Sequence, residues 1–167
     1  HVQVEDGFGP DEAVSQLPRR VLTRKLLFWL TSTKLVVPSR LLQKLATEVW
    51  RVPRSKFSYI ANGVALPLKA KEFSSTGPIT IGTVAAIRKE KNIPRLVRAF
   101  AVASQQADLR LIIVGDGPEL SAVKLLVSEL NLDSMVTFTG YQKKPTELLA
   151  QFDLFALSSD TEQLPIA

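Results

Sequence analysis

The feature that most constrains the fold is an unbroken apolar run, "LRLIIVG" at residues 109–115, flanked on both sides by segments with helical periodicity. A short run that is rich in β-branched residues and lacks polar alternation is typical of a strand buried on both faces. Three other strand-like runs occur after residue 77, namely "PITIGTVA" (78–85), "SMVTFTG" (134–140) and "DLFALS" (153–158). Strands that alternate with helical connections predict βαβ units, and so an α/β fold with a parallel sheet from about residue 78.

Two helices in this region have clear start signals. The segment "NIPRLVRAFAVAS" (92–104) has Asn92 as a candidate N-cap and Pro94 in the first turn. The segment "PELSAVKLLVSEL" (118–130) begins with a proline. The predicted inward residues are Ile93, Leu96, Val97 and Phe100 in the first helix, and Leu120, Val123, Val127 and Leu130 in the second.

Residues 11–62 predict a smaller helix–strand–helix–strand alternation. The strand candidates are "KLVVPS" (34–39) and "KFSYI" (56–60), and Ser39 is a candidate N-cap for the helix "RLLQKLATEVW" (40–50). Residues 64–77 mix Pro, Lys, Ser and Gly without a period, which predicts a linker.

The first helical segment, "LPRRVLTRKLLFWLT" (17–31), is apolar nearly all round. This composition predicts a packed core helix. The alternative is contact of Trp29 and the nearby basic residues with a membrane surface.

Composition excludes several kinds of chemistry. The 167 residues include no cysteine and one histidine, His1. Disulfides, cysteine-ligated metals, multi-histidine metal sites and a Ser-His-Asp triad therefore cannot be built from this sequence. No Asp-x-Asp pair occurs, which weighs against a metal–diphosphate clamp because a hard cation needs clustered oxygen ligands. We expect no metal and no cofactor.

The net charge of +5 is unevenly distributed along the chain. Residues 1–98 carry 17 Lys and Arg against 7 Asp and Glu, whereas residues 99–167 carry 4 against 9. This asymmetry predicts an anionic partner for the first part. A phosphorylated small ligand is the alternative to nucleic acid, and we expect no nucleic acid because the basic helical segment has no basic face and no aromatic ladder.

Ligands of parallel sheets bind beyond the carboxyl ends of the strands, so the loops there are candidates for a site. The loop "AIRKEKN" (86–92) places Arg88 and Lys91 before a helix N-terminus, which suits a diphosphate; a solvated basic turn is the alternative. Gly115 and Gly117 suit a ligand-binding turn or a structural turn with unusual backbone angles.

Two further loops can be interpreted either as binding a ligand or as having no binding role. Gly140 lets a flat base approach the backbone, or it only ends a strand. Glu162, within "SSDTEQLPIA" (158–167), can accept hydrogen bonds from sugar hydroxyls, or it is a surface carboxylate.

Five motifs in order resemble the family 4 retaining glycosyltransferases of the GT-B fold, over about residues 34–167. They are "NGV" (62–64), "IGTVAAIRKEKNIPRLVRAFA" (81–101), "LRLIIVGDGPE" (109–119), "VTFTGY" (136–141) and "ELLAQFDLFALSSDTEQLPIA" (147–167). The resemblance implies a Rossmann-like C-terminal donor-binding domain, incomplete here, at 78–167, a linker at 64–77, and a part of the N-terminal acceptor domain at 1–63. It also implies that the chain is an internal fragment, inactive alone.

The resemblance implies three catalytic residues. The family has a Gly-Arg-x-x-x-x-Lys pattern that binds the donor diphosphate, and Lys91 matches its lysine. Ala86 then stands where the arginine is expected, and Arg88, two residues later, is the substitute. Glu162 matches a family glutamate that contacts the donor sugar.

The resemblance also implies a set of binding residues for the donor. Gly140 and Tyr141 match the segment that lines the base. Ser158 and Ser159 match the segment that faces the sugar, and Gly115 and Gly117 belong to the same set of loops.

The implied function is transfer of a sugar, with retention, from a UDP- or GDP-sugar to a hydroxyl of a glycan or lipid-linked acceptor. The implied setting is the cytoplasm, with peripheral contact at the inner face of the membrane. Two alternatives remain. One is another sugar-nucleotide enzyme such as an epimerase, and the other is a non-catalytic binding relic, which the alanine at position 86 favours.

Overall fold

The computed structural model describes residues 1–5, 16–63 and 77–160, and these residues form two compact units. The first unit contains the described residues up to 63, and the second contains residues 77–160. The linker predicted at 64–77 lies outside the described ranges except for Gly77.

The first unit is a three-stranded parallel sheet with order β1-β2-β3. Its core contains Phe28 and Trp50, both fully buried. The elements in chain order are β1 (Val2–Val4), α1 (Pro18–Leu30), β2 (Lys34–Val37), α2 (Arg40–Glu48), a 3₁₀ helix (Arg54–Lys56) and β3 (Phe57–Tyr59). Strand β1 was not predicted, because three residues are too few for a periodicity.

Helix α2 begins as the sequence predicts. The backbone N–H of Leu42 donates to Ser39 Oγ at 3.2 Å, so Ser39 is the N-cap. The end of α1 is held by Lys56, whose Nζ donates to the carbonyl oxygens of Phe28 (2.7 Å) and Thr31 (2.8 Å). A lysine at these positions satisfies carbonyls that the end of α1 leaves without helical partners.

Helix α1 is far more exposed than predicted, and the prediction of a packed core helix is wrong. Phe28 is its one fully buried residue, whereas Trp29 is 69% exposed and Leu30 is 79% exposed. The physical reason is that a three-stranded sheet with one other long helix covers a single side of α1 among the described residues. An apolar composition on all sides does not say which side will be covered.

The second unit is a four-stranded sheet with order β6-β5-β4-β7, in which every strand pair is parallel. Its elements are β4 (Ile79–Val84), a 3₁₀ helix (Lys89–Lys91), α3 (Ile93–Ala103), β5 (Leu109–Val114), α4 (Leu120–Glu129), β6 (Val136–Gly140), α5 (Thr146–Leu149) and β7 (Leu154–Phe155). The predicted α/β fold with a parallel sheet after residue 78 is confirmed.

The inward faces of the helices agree with the pattern in most positions. All four residues predicted for α3 are buried, and so are Val123 and Val127 in α4. Leu130 is 37% exposed, against prediction, because it is the C-cap that follows the last turn of α4. Within the residues described, no helix has the length and apolar character needed to cross a membrane.

Candidate functional site

The loops at the carboxyl ends of β4, β5 and β6 are joined by backbone hydrogen bonds. Ala85 N–H donates to Val114 C=O at 3.0 Å, and Ile87 N–H donates to Asp116 C=O at 2.9 Å. On the other side of β5, Gly115 N–H donates to Gly140 C=O at 2.9 Å. These bonds continue the sheet ladder beyond the strands, so the loops form a fixed surface at this edge.

The close approach of these loops explains two glycines. Gly115 has φ +143°, and a Cβ built on it would lie 1.9 Å from the carbonyl oxygen of Ala85. A Cβ on Gly117 would lie 2.4 Å from the carbonyl oxygen of Ile87. Both positions therefore need glycine for backbone packing alone. A role of Gly115 and Gly117 in ligand binding stays a prediction.

Gly140 differs from these two glycines. Its φ of +70° favours glycine, but a Cβ there would meet nothing within 4 Å. The next residue, Tyr141, is 72% exposed. The space beside this end of β6 is therefore open, as the predicted approach of a flat base requires.

Lys91 lies between β4 and α3, as predicted. It ends the 3₁₀ helix, and its backbone N–H donates to Arg88 C=O at 3.0 Å. The next residue, Asn92, has φ +46°, and its Oδ1 accepts the N–H of Arg95 at 3.2 Å. The predicted N-cap of α3 is thus confirmed. Lys91 is half-buried and Arg88 is exposed.

The loop after β7 comes back to the loop of Lys91. Strand β7 pairs with β4 through Ile81–Leu154 and Gly82–Phe155. Beyond the pairing, Ser158 Oγ donates to the carbonyl oxygen of Lys91 at 2.9 Å. The structure therefore brings together two predicted site residues that are 67 positions apart in the sequence.

Asp160 also contacts the loop of Lys91, a role that its place in the sequence did not indicate. Its Oδ1 accepts Asn92 Nδ2 at 3.0 Å and Arg95 Nη2 at 2.5 Å, and its backbone N–H donates to Glu90 C=O at 2.9 Å. Arg95 Nη1 donates in addition to Ser158 C=O at 3.3 Å. The hydrogen bonds from Asn92 and then Arg95 lower the pKa of the Asp160 carboxyl. The sequence showed an acidic residue in a candidate loop, but the spacing of residues along the chain does not predict that Asn92 and Arg95 are its partners.

The strand order sets the extent of this edge. Gly140 ends β6 and Ser158 follows β7, and these strands are the two edges of the four-stranded sheet, with the loop of Lys91 between them. Three strand spacings separate the two edges, or about 14 Å. Ser159 is half-buried in the β7 loop. Glu162 lies outside the described residues.

The first unit contains a separate basic groove. A cavity of about 470 Å³ is lined by residues of α2, of the 3₁₀ helix that precedes β3 and of β3 itself, namely Arg40, Gln43, Lys44, Thr47, Glu48, Arg54 and Phe57. It gathers part of the positive charge that predicted an anionic partner. No group of three His, Cys, Asp or Glu residues suited to a metal occurs in the parts of the chain that the structure describes.

The second unit is a parallel α/β sheet with polar loops at the carboxyl ends of its strands, which is the arrangement of α/β domains that bind ligands at that end. The chain belongs to the family of group 1 glycosyl transferases, whose family model matches residues 67–167. The resemblance in the motifs is confirmed at this level.

Relatives agree with this assignment. N-acetyl-alpha-D-glucosaminyl L-malate synthase of Bacillus anthracis is 39% identical over 79 residues, which are 47% of this chain and 21% of that protein. Alpha-monoglucosyldiacylglycerol synthase of Streptococcus pneumoniae is 31% identical over 102 residues, or 58% of this chain and 23% of that protein. The chain thus spans less than a quarter of the length of either relative.

Solved structures confirm the GT-B fold. WaaG, a glycosyltransferase involved in lipopolysaccharide biosynthesis, aligns with a TM-score of 0.71 at 17% identity over 97% of this chain and 51% of that one. Anabaena HepE in complex with UDP aligns with a TM-score of 0.71 at 18% identity, over 97% of this chain and 47% of that one. At these identities the likeness concerns the fold alone.

Proposed function

We propose that the second unit binds the donor of a retaining glycosyltransferase, which transfers a sugar from a UDP- or GDP-sugar to an acceptor hydroxyl. The observation that carries the proposal is the contact between Ser158 and the backbone of Lys91 at 2.9 Å. It places the residue proposed to face the sugar beside the residue proposed to bind the diphosphate. A sugar and the phosphate attached to it need neighbouring groups of these two kinds.

The chemistry follows from the position of Lys91. A half-buried lysine before the N-terminus of α3 is well placed to stabilise negative charge on a departing diphosphate. Cations fixed at the place where charge develops lower the energy of a transition state strongly, because they need no rearrangement when the reaction occurs. Arg88, more exposed, is the second cation. Glu162 is assigned to the donor sugar on the motif alone.

The remaining predicted residues extend the donor site along the sheet edge. The open space at Gly140 and Tyr141 suits a flat base, and the row from β6 to β7 suits an elongated ligand. The names of similar proteins support this choice of ligand. HepE was solved with UDP and glucose, and pneumococcal GtfA with UDP and GlcNAc.

The acceptor is proposed to be a glycan or a lipid-linked sugar, met at the cytoplasmic face of a membrane. Two relatives are named for lipid acceptors or products. One is the diphospho-undecaprenol N-acetylgalactosaminyltransferase of Campylobacter jejuni, 34% identical over 77 residues, and the other is the pneumococcal diacylglycerol enzyme.

A second candidate is a domain that binds nucleotide sugars without catalysis. Ala86, at the place where the family pattern has an arginine, favours it. Ala86 is exposed, and its carbonyl oxygen accepts the N–H of Arg88 at 2.9 Å. This tight turn holds the Arg88 backbone close to the position of the family arginine, which favours the catalytic candidate.

The experiment is to titrate full-length protein with UDP-glucose, UDP-N-acetylglucosamine and GDP-mannose by calorimetry, and then to follow sugar transfer by proton NMR. Binding followed by transfer with an unchanged anomeric configuration supports the proposal. Binding without transfer or hydrolysis would favour the non-catalytic candidate. An inverted product would overturn the retaining mechanism.

A further inference from the structure

We propose that Asp160 is a positioning residue, which holds the loop after β7 against the start of α3 through Asn92 and Arg95. We call these three residues the clasp. The inference deepens the proposed function and rests on it, since the clasp would set the distance between the sugar-binding loop and Lys91. Glu162 follows Asp160 by two residues in the sequence.

The loop after β7 has no other described attachment through Ser158 or Asp160. Within the part of the chain that the structure describes, the hydrogen bonds of these two residues go to residues 90–95. The loop that holds Lys91 is different, because Ile87 also bonds to Asp116 and Glu119 of the β5 loop. Opening the clasp should therefore loosen the β7 loop, which keeps its bond from Ser158 to the Lys91 backbone, and leave the Lys91 loop in place.

Asn92 has both atoms of its side-chain amide engaged. Its Oδ1 caps α3 by accepting the N–H of Arg95, and its Nδ2 donates to Asp160. The capping function and the clasp function are thus carried by different atoms of one side chain. An aspartate at position 92 would keep the capping oxygen and lose the donor.

Substitution of a clasp residue should change the position of the β7 loop more than the stability of the protein. The Asp160 and Arg95 side chains are 45% and 57% exposed, and an exposed ion pair contributes little to the free energy of unfolding. A small displacement of a substrate-binding group has a large effect on binding and turnover, up to about 100-fold for 1 Å. A merely structural role would change the melting temperature instead.

The test uses exchanged partners in the full-length protein. Asn92→Asp puts a second carboxylate beside Asp160, and Asp160→Asn removes the charge that Arg95 meets. The double variant Asn92→Asp/Asp160→Asn reverses the direction of the hydrogen bond and should restore it. Asp108→Asn is the matched control, because Asp108 is exposed and precedes the amino end of β5, at the end of the sheet opposite the candidate site.

The first probe is UDP-glucose or GDP-mannose, whichever the parental protein binds more tightly. The second probe is the corresponding nucleoside diphosphate. We expect Asn92→Asp to weaken binding of the nucleotide sugar on the order of tenfold and to raise its KM equally. Binding of the nucleoside diphosphate should change less than about twofold, and the melting temperature less than about 3 °C. The double variant should recover most of the loss.

Three results of the binding measurements would overturn the clasp. They are single variants that bind the nucleotide sugar like Asp108→Asn, a double variant no better than Asn92→Asp, and equal losses for nucleotide sugar and nucleoside diphosphate. Hydrogen exchange at the Asp160 amide is independent of any ligand, and unchanged protection in Asn92→Asp would overturn the clasp too. A parental protein that exchanges as expected but binds no nucleotide sugar would overturn the proposed function instead.

Discussion

The hydroxyl of Ser158 donates to the backbone carbonyl of Lys91 at 2.9 Å, across 67 residues of sequence. This bond joins the loops beyond β7 and β4, which are neighbours in the sheet. Because the bond ends on the backbone of Lys91, substitution of the lysine side chain leaves the contact intact. The charge of Lys91 can therefore be tested without removing the link between the loops.

Lys91→Ala should reduce sugar transfer far more than Arg88→Ala. Lys91 is half-buried at the start of α3 and matches the family lysine, whereas Arg88 is exposed and matches no fixed position. Loss of a charge-assisted contact to the diphosphate costs about 2–4 kcal/mol of transition-state stabilisation, which is a rate loss of about 30- to 1000-fold. Steady-state kinetics on both variants measures this, and transfer by Lys91→Ala at the parental rate would contradict it.

Glu162→Ala should lower turnover and weaken donor binding while leaving nucleoside diphosphate binding nearly unchanged. The reason is that Glu162 is assigned to the sugar and not to the phosphates. Calorimetric titration with the nucleoside diphosphate, beside kinetics with the nucleotide sugar, separates the two. Loss of nucleoside diphosphate binding would show that the assignment is wrong.

Gly115→Ala should be strongly destabilising. The added Cβ would lie 1.9 Å from the Ala85 carbonyl oxygen, at a φ of +143°. Overpacking against backbone together with strain should lower the free energy of unfolding by about 3–5 kcal/mol. Gly140→Ala is the control, since it meets no atom and should cost about 1–2 kcal/mol for its positive φ. Urea unfolding gives both values, and equal losses would speak against the clash.

The clasp should survive mild acid. Its hydrogen bonds, from Asn92 first and then Arg95, lower the pKa of Asp160 below that of an unfolded aspartate. A carboxyl with a depressed pKa stabilises the folded state above its unfolded pKa, and this contribution disappears as the pH falls through the folded pKa. The clasp should therefore open only below about pH 4. Carbon NMR of the Asp160 carboxyl measures the titration, and Asn92→Gly should raise its midpoint; an equal midpoint would contradict the assignment.

Sugar transfer should not respond to metal removal. The sequence has no Asp-x-Asp pair, and the described residues hold no cluster of three metal ligands. In the proposed function Lys91 and Arg88 meet the charge on the diphosphate, so we expect transfer to proceed without a divalent cation. The measurement is transfer before and after EDTA treatment, with Mg²⁺ or Mn²⁺ added back. A loss that the metal restores would contradict the proposed donor site.

The sheet and the inward face of α3 could be predicted because buried runs and helical spacing are local signals. The exposure of α1 could not be predicted, because the exposure of Trp29 depends on which elements pack against it, and a local sequence pattern does not contain that information. The meeting of the candidate loops at the carboxyl ends of the strands also followed from a general rule on parallel sheets. The clasp did not, because Asn92 and Asp160 lie 68 positions apart and their pairing depends on which strand neighbours β4.

The glycines show a different limit. The positive φ angles of Gly115 and Gly140 are compatible with their residue type, but the contact that requires a glycine cannot be predicted from the sequence. Gly115 is required by the carbonyl of Ala85, and that contact exists because the β4 and β5 loops bond side by side. A sequence pattern that looks like a ligand-binding turn is thus explained first by the packing of one loop on another.

The ladder of backbone bonds that runs past the ends of β4, β5 and β6 makes this surface preorganised. The conformational entropy of Ala85, Ile87 and Gly115 is lost when the unit folds, not when a ligand arrives. A ligand that lies on such a surface orders little new backbone, so more of its contact energy appears as affinity. The loop beyond β7 is held mainly by side-chain bonds and not by this ladder, so we expect any adjustment on binding to occur there, and crystal structures with and without a nucleotide should superpose along the rest of this edge.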